Sequence, residues 1–380
     1  MLLTLKATLC KINNLLYTGH EVIFMRQTLT INTKLQKYKV TTETGLFYKF
    51  GSIISQLFPG RKIAVITDDT VKSIYEERLS KQMNEAGIQW KLISLPPGEN
   101  SKSFDMVPEL YLKLLDFQLA RDDVIVAFGG GVIGDIAGFT AATFLRGINL
   151  IMVPTTLMAM VDASIGGKNG ANLPEGKNMA GTFYQPKEVL IDPDVVRTLP
   201  DRVFEDGMAE VIKYGCVFDP DLFSDLKAKA ERSDGSGIES IIYRCCLIKK
   251  QIIELDSQDQ GIAMLLNFGH TLGHCIEDYF PDGKYTHGEA VAIGMYMTTV
   301  ASERAGLTAP NTSSLIKNIL TSYNLPYQLP EDTNIVKMVE AVKRDKKRRD
   351  DKLNLVLIEK IGKGFFHKID KAEYASFLTE

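Results

Sequence analysis

From about residue 38 to residue 200 the chain alternates short β-branched, apolar runs with longer stretches of helical periodicity, and few folds satisfy that alternation. KIAVITDD (62–69), WKLISL (90–95), DVIVAFGG (123–130) and INLIMVPTT (148–156) read as strands, while TVKSIYEERLSKQMNEAG (70–87) and SFDMVPELYLKLLDFQL (103–119) read as the helices between them. These strands are apolar nearly throughout instead of alternating, which is the pattern of strands covered on both faces, so the sheet is predicted to be largely parallel. RQTLTINTKLQKYKV, after Met25, is further strand material. Beyond residue 200 strand-like runs nearly vanish while helical spacing persists through IESIIYRCCLIKKQIIELD and GEAVAIGMYMTTVASERAGL, with LNLVLIEK (353–360) the one late exception. The expectation is an α/β domain over 26–200 and an all-helical domain over 201–380, hinged near Pro200, with residues 1–25 an extension to which no role is assigned.

At 380 residues the chain can bury two cores, and 44 Lys plus Arg against 47 Asp plus Glu leave a net charge of -3, which predicts no general attraction to nucleic acid or anionic lipid. Five cysteines without a CxxC pair fit a reducing, cytoplasmic compartment better than a disulfide framework. No apolar run reaches the roughly 18 to 20 residues of a membrane helix, and the first 25 residues lack the apolar core and small-residue cleavage site of a secretory signal.

Four segments carry candidate chemistry. Gly129, Gly131 and Gly134 satisfy G-x-G-x-x-G within FGGGVIGDIAG, directly after a strand and opening a helix, where backbone N–H groups and the helix dipole can cradle a diphosphate. The acidic residue expected about 20 positions later is missing, and the competing reading of the glycines, of lesser weight, is a tight turn requiring positive φ. Asp68 with Asp69, Glu99 with Lys102, and Thr155 with Thr156 fall at predicted strand ends, where ligands of open α/β sheets bind. VDASIGGKNGANLPEGKNMAGTFYQP (161–186) reads as a long site loop bearing Asp162, Lys168, Lys177 and Asn178, with lysines beside glycines suited to phosphate. Three of the five histidines, His270, His274 and His287, lie close together; His270 and His274 are spaced i, i+4 and so share a helical face that could chelate a metal. Glu210 in GMAEVIKYG is the best-placed carboxylate to join them, with Lys213 on the same face.

GGGVIGDIAGF, FLRG, VPTTLMAMVDASIGGK, EGKNMAGTFYQP, AEVIKYG, LNFGHTLGH, HGEAVAIGM and DKK, in this order across about residues 95 to 350, together resemble the 3-dehydroquinate synthase family of sugar phosphate cyclases. The resemblance implies a Rossmann-like α/β domain that binds NAD, a helical domain that binds a metal, usually zinc with cobalt as an alternative, a cleft between them, and a homodimer. It implies metal ligands Glu210, His270 and His287, which moves His274 from the ligand set to the substrate phosphate and proton transfer. It further implies NAD along Asp68, Glu99, Lys102, Gly131, Val132, Ile133, Gly134, Asp135, Thr155, Thr156, Lys168 and Lys177. Substrate contacts carried over are Asp162, Lys168, Asn178, Lys213, Lys249, Asn267, His274 and Lys346, with Arg146 offered by the neighbouring subunit; of these Lys213, His274, Asp162, Lys168 and Asn267 are the catalytic set. The implied reaction converts 3-deoxy-D-arabino-heptulosonate 7-phosphate to 3-dehydroquinate and phosphate, in the shikimate pathway.

One departure bears on the substrate. GIAMLLNFGH puts Ala263 where the family pattern has the Arg that pairs with the substrate carboxylate, leaving Lys249 as the other expected contact, a charge without the fork geometry. Ser257 stands where Glu is usual and Asn169 where Thr is common. The alternatives are a cyclase whose substrate has no carboxylate, and an iron-type NAD-dependent alcohol or glycerol dehydrogenase with the same two-part layout.

Overall fold

Four of the predicted strands form where the apolar runs stand: β3 (Ile63–Asp68), β4 (Trp90–Leu95), β5 (Val124–Gly129) and β6 (Asn149–Pro154). A computed structural model describes residues 26–34, 36–230, 237–280, 283–340 and 351–379, so the 1–25 extension and the predicted Lys346 lie outside the described residues. The strand material after Met25 forms an antiparallel pair, β1 (Gln27–Asn32) and β2 (Lys37–Thr42), and a short strand that the sequence reading missed, β9 (Glu188–Ile191), joins it to the rest. The seven strands are ordered β1-β2-β9-β6-β5-β3-β4, and every pair but β1/β2 is parallel. β5 is buried along its whole length, whereas β4, at the edge, is half-exposed. Helix α1 (Phe50–Leu57) precedes β3, α2 (Asp69–Glu85) follows it, α3 (Met106–Asp116) follows β4, and α4 (Gly131–Thr143) follows β5. Since β3 is flanked by β4 on one side and β5 on the other, the strand order reverses between β3 and β5, and their carboxyl ends open the crevice where such sheets bind ligands.

Two expectations need correction. The segment 161–186 is not a loop: after one π-helical turn (Ala159–Ala163) it forms a hairpin of β7 (Lys168–Leu173) and β8 (Gly176–Phe183). Its glycines mark close approach, since a Cβ on Gly170 would lie 2.8 Å from the Ala180 carbonyl oxygen and one on Gly138 of α4 would lie 1.9 Å from Asn169 Oδ1. Packing against α4 makes strands of a sequence with little strand propensity. The carboxyl-terminal part is also not all-helical. After α5 (Asp201–Val217), α6 (Pro220–Ala230), α7 (Ile238–Leu255), α8 (His270–Tyr279), α9 (His287–Arg304) and α10 (Thr312–Ser322), the expected late strand, β10 (Lys352–Lys360), pairs antiparallel with β11 (Lys363–Asp370). KGFFHKID carries two lysines and a histidine in eight residues, which hid the second strand, and β10 supplies the buried Leu355 and Leu357 that hold the pair to the helices.

Pro200 stands at the entry to α5. Every residue of α5 from Gly207 to Val217 is buried, so this helix is enclosed on all sides and its polar members, Glu210 and Lys213, must find partners inside. One continuous core links the sheet to α5 and α7 through Val211, Ile212, Cys246 and Ile252.

Candidate active site

Helices α5, α8 and α9 meet at backbone contact, and glycine is what allows it. A Cβ on Gly294 of α9 would lie 2.1 Å from the carbonyl oxygen of Gly269, which caps α8 at φ 81, a left-handed conformation suited to glycine. A Cβ on Gly288 would lie 2.1 Å from the Asp206 carbonyl oxygen on α5. The same contact is hydrogen-bonded, with the Gly288 N–H donating to Asp206 Oδ1 at 2.6 Å, and a capping box of Thr286 and Glu289 completes the start of α9. His270 and His287, each the first residue of its helix, are thereby brought to a ring separation of 5.1 Å.

Both imidazoles aim Nε2 at one carboxylate. His270 Nε2 lies 3.4 Å and His287 Nε2 3.9 Å from Glu210 Oε1, and a ligand atom from each of the three lies within 4.8 Å of the others. The opposite ring nitrogens face acceptors, His270 Nδ1 at 3.2 Å from the Phe268 carbonyl and His287 Nδ1 at 3.2 Å from Glu277 Oε2. Donation there keeps the Nε2 lone pairs available to a metal. Glu210 is 1% exposed; its Oε2 is in ion-pair contact with the equally buried Lys213 one turn along, while its Oε1, which both Nε2 atoms face, accepts no hydrogen bond. A buried Oε1 without a hydrogen bond leaves one lone-pair site open to a further cation, and a carboxylate with two imidazoles is a donor set suited to zinc. Burial, and secondarily Lys213, push the His270 pKa well below its ordinary value. For His287 burial acts downward, but Glu277 foremost, with Glu210 and Asp206, raises the pKa on balance. His274 is exposed, its ring 5.7 Å from that of His270 and 6.0 Å from that of His287.

A second cluster adjoins Lys213. Lys249 Nζ on α7 donates to Asp162 Oδ1 at 2.5 Å and to the Asp162 carbonyl at 2.6 Å, and the Tyr214 hydroxyl donates to the same carboxylate at 2.8 Å. Burial opposes ionisation of Asp162, but Lys249 and Lys213 together hold its carboxyl below the usual range. Burial in turn lowers the Lys249 pKa in spite of Asp162.

The remaining predicted residues take varied places. Lys177 Nζ reaches Glu277 Oε1 at 3.1 Å, from the hairpin to the helical region, and Lys168 Nζ reaches Asp259 Oδ2 at 2.6 Å. Asn178 adopts φ 55 and its N–H donates to Asn172 Oδ1, while Asn172 donates to Glu99 Oε1 at 2.8 Å. Lys102 is buried against Asp135 at 2.5 Å, so in this arrangement its charge is taken up within the protein. Asp68 Oδ1 caps α2 by accepting from the N–H groups of Thr70 and Val71. Thr155 donates its N–H to Gly129, and Thr156 Oγ1 accepts from Ala159, so both line the β5–α4 turn. Gly129, Gly131 and Gly134 have negative φ, which excludes the positive-φ explanation; Gly129 and Gly130 provide room, since a Cβ on either would approach Ile133 at 2.7 Å or Thr156 Cγ2 at 3.1 Å. No acidic side chain stands in the first turn of α4, and the amide groups of Gly131, Val132 and Ile133 open that helix. Asn267 is half-buried just before α8. Arg146 stands apart from these clusters on an exposed tip with Leu145 and Gly147, all three at positive φ. Glu277 and Asp206 escaped the sequence reading, although Glu277 follows His270 by seven residues and His274 by three, a spacing that shares their helical face.

The fold and site define a class. A solved structure of ValA (2-epi-5-epi-valiolone synthase) from Streptomyces hygroscopicus with NAD+ and Zn2+ bound is 27% identical, with a TM-score of 0.82 over 92% of this chain and 97% of that one. 2-Deoxy-scyllo-inosose synthase complexed with carbaglucose-6-phosphate, NAD+ and Co2+ shares the fold at a TM-score of 0.80 and 23% identity, over 93% of this chain and 99% of that one. The architecture is that of the sugar phosphate cyclases. Within that class, residues 92–206 match the amino-terminal model and residues 207–348 the carboxyl-terminal model of 3-dehydroquinate synthase. The 3-dehydroquinate synthase of Clostridium beijerinckii is 46% identical over 341 residues, 90% of this chain and 97% of that protein. The chain belongs to the 3-dehydroquinate synthase family, and its activity is the 3-dehydroquinate synthase step of the shikimate pathway. The dehydrogenase and carboxylate-free alternatives are set aside, and Ala263 is a departure inside the family.

Proposed function

We propose that this enzyme works with one zinc ion at Glu210, His270 and His287 and one NAD in the crevice at the β3 and β5 ends, converting 3-deoxy-D-arabino-heptulosonate 7-phosphate to 3-dehydroquinate and phosphate. The observation that carries the metal assignment is the convergence of His270 and His287 Nε2 on one buried oxygen, Glu210 Oε1, which accepts no hydrogen bond. Bound NAD supplies a transient hydride acceptor, and zinc supplies polarisation of the substrate oxygens. NAD runs along the Gly131 to Asp135 turn, with the N–H groups of Gly131, Val132 and Ile133 and the hydroxyls of Thr155 and Thr156 toward its phosphates, and Asp68, Glu99, Lys102 and Lys177 surround its remainder. Lys168, Asn267, His274 and Lys346 hold the substrate phosphate and stabilise it as it departs with the proton. Lys213 and Asn178 orient the ring hydroxyls, and Asp162 sets the direction of Lys249. With Ala263 in place of arginine, Lys249 alone carries charge toward the substrate carboxylate. The proposal includes a homodimer in which Arg146 of one subunit enters the neighbouring site, and cytoplasmic residence; among the described residues no helix is long and apolar enough to cross a membrane.

The test is phosphate release with NAD and zinc from this substrate, glucose 6-phosphate and sedoheptulose 7-phosphate in parallel. Release from the first alone, with dehydroquinate formed and no net NADH, is expected; release from another sugar phosphate alone overturns the assignment. His287→Ala is expected to strip the metal, and stoichiometric zinc retained on elemental analysis would remove His287 from the ligand set.

A further inference from the structure

A second set of ligand atoms lies beside the first: His274, Glu277 and His287 also bring one donor each within 4.8 Å. His287 belongs to both sets, with Nε2 turned to Glu210 and Nδ1 to Glu277. The two carboxylates differ in one oxygen. Glu210 meets Lys213 through Oε2 and leaves Oε1 without a hydrogen bond, whereas Glu277 uses both oxygens, Oε1 for Lys177 at 3.1 Å and Oε2 for His287 at 3.2 Å. His287 is also the least enclosed of the three proposed ligands, its side chain 33% exposed against 12% for His270 and 1% for Glu210, so its orientation depends most on its hydrogen bond.

We propose that Glu277 is a positioning residue, not a ligand: it clamps His287 with one oxygen and Lys177 of the β7–β8 hairpin with the other. The first contact holds the imidazole as the Nδ1–H tautomer with Nε2 toward Glu210. The second ties the hairpin, and the lysine it offers to the nucleotide, to the occupied state of the metal site. Metal and NAD affinities are thereby coupled through one carboxylate, and the coupling is reciprocal. This inference rests on zinc occupying the Glu210–His270–His287 site.

The experiment measures zinc dissociation constants of the full-length apoprotein by competition with a chromophoric chelator, and NAD+ affinity by calorimetry with and without zinc, for the wild type, E277A, E277Q and E277S. E277A is expected to weaken zinc binding about 10- to 100-fold, with an altered visible spectrum of the cobalt-substituted protein. E277Q keeps an acceptor for Nδ1–H and recovers most of that affinity, but loses the ion pair to Lys177. Zinc should tighten NAD+ binding by about 5-fold or more in the wild type, and this enhancement should vanish in E277Q. Should E277A fail to fold by circular dichroism, E277S, too short to reach His287, makes the same comparison. Wild-type zinc affinity in E277A or E277S, or full zinc–NAD+ coupling in E277Q, overturns the inference. A wild type that takes up no zinc overturns the underlying metal assignment instead.

Discussion

Gly288→Ala tests whether helix packing builds the metal site. Taken locally, the change should stabilise the protein, because alanine is favoured over glycine inside a helix by about 1 kcal/mol. The tertiary contact reverses the sign. The added Cβ would lie 2.1 Å from the Asp206 carbonyl oxygen and 2.7 Å from its Oδ1, and the nearer atom is backbone that no rotamer change can move. Relief to an ordinary carbon–oxygen approach of about 3.3 Å requires the start of α9 to shift by roughly 1.2 Å. Overpacking of this kind costs about 1–3 kcal/mol, which equals or exceeds the propensity gain. The functional effect is larger, because His287 immediately precedes Gly288 and metal sites tolerate only about ±0.2 Å in ligand distance. The expected result is a lower melting temperature for the metal-free protein and a zinc dissociation constant raised by at least about two orders of magnitude, with helical content by far-ultraviolet circular dichroism unchanged. A variant that melts higher, or that holds zinc with wild-type affinity, would refute the reasoning.

Ala263→Arg should lower KM for the carboxylate-bearing substrate more than it changes kcat, since it restores ground-state binding; an unchanged KM would mean that Lys249 already carries the carboxylate in full. Ala263 is buried and its N–H is bound to Asp256 Oδ2, so a thermal melt should accompany the kinetics. Cys216, Cys245 and Cys246 should resist alkylation at pH 8 in the native protein, because burial pushes the Cys246 thiol up to about 12 and the other two upward as well, leaving all three protonated. Labelling mapped by mass spectrometry at the rate seen in denaturant would contradict this. Arg244→Met should destabilise by about 1–3 kcal/mol, because it removes the guanidinium that grips the buried Asp219 carboxylate at 2.6 and 2.7 Å and leaves it only the N–H groups of Asp221 and Leu222. A melting temperature within error of the wild type would show that the N–H groups of Asp221 and Leu222 suffice for Asp219.

The central strands were legible because strands covered on both faces must be apolar throughout, and β5 is buried at every position. β9 was not, being four residues long, and β7, β8 and β11 were not because their sequences are rich in glycine or lysine and become strands only through the helices packed on them. At the site, spacing alone paired His270 with His274, since i, i+4 residues share a face; the fold instead turns His270 and His287 from different helices toward Glu210. The family resemblance had named that trio, but no pattern along α5 or α9 reveals that Gly288 and Asp206 hold the two helices together. That contact exists only once both are folded.

Glu210, His270 and His287 come from three helices, so an unfolded chain offers no comparable set. An ion bound there favours the folded form by mass action: free zinc at a hundred times its dissociation constant contributes about 2.7 kcal/mol. The melting temperature then becomes a function of metal buffering, and a chelator-treated preparation differs in folding equilibrium as well as in turnover. Under the proposed metal assignment, zinc supply enters the folding equilibrium as well as the chemistry.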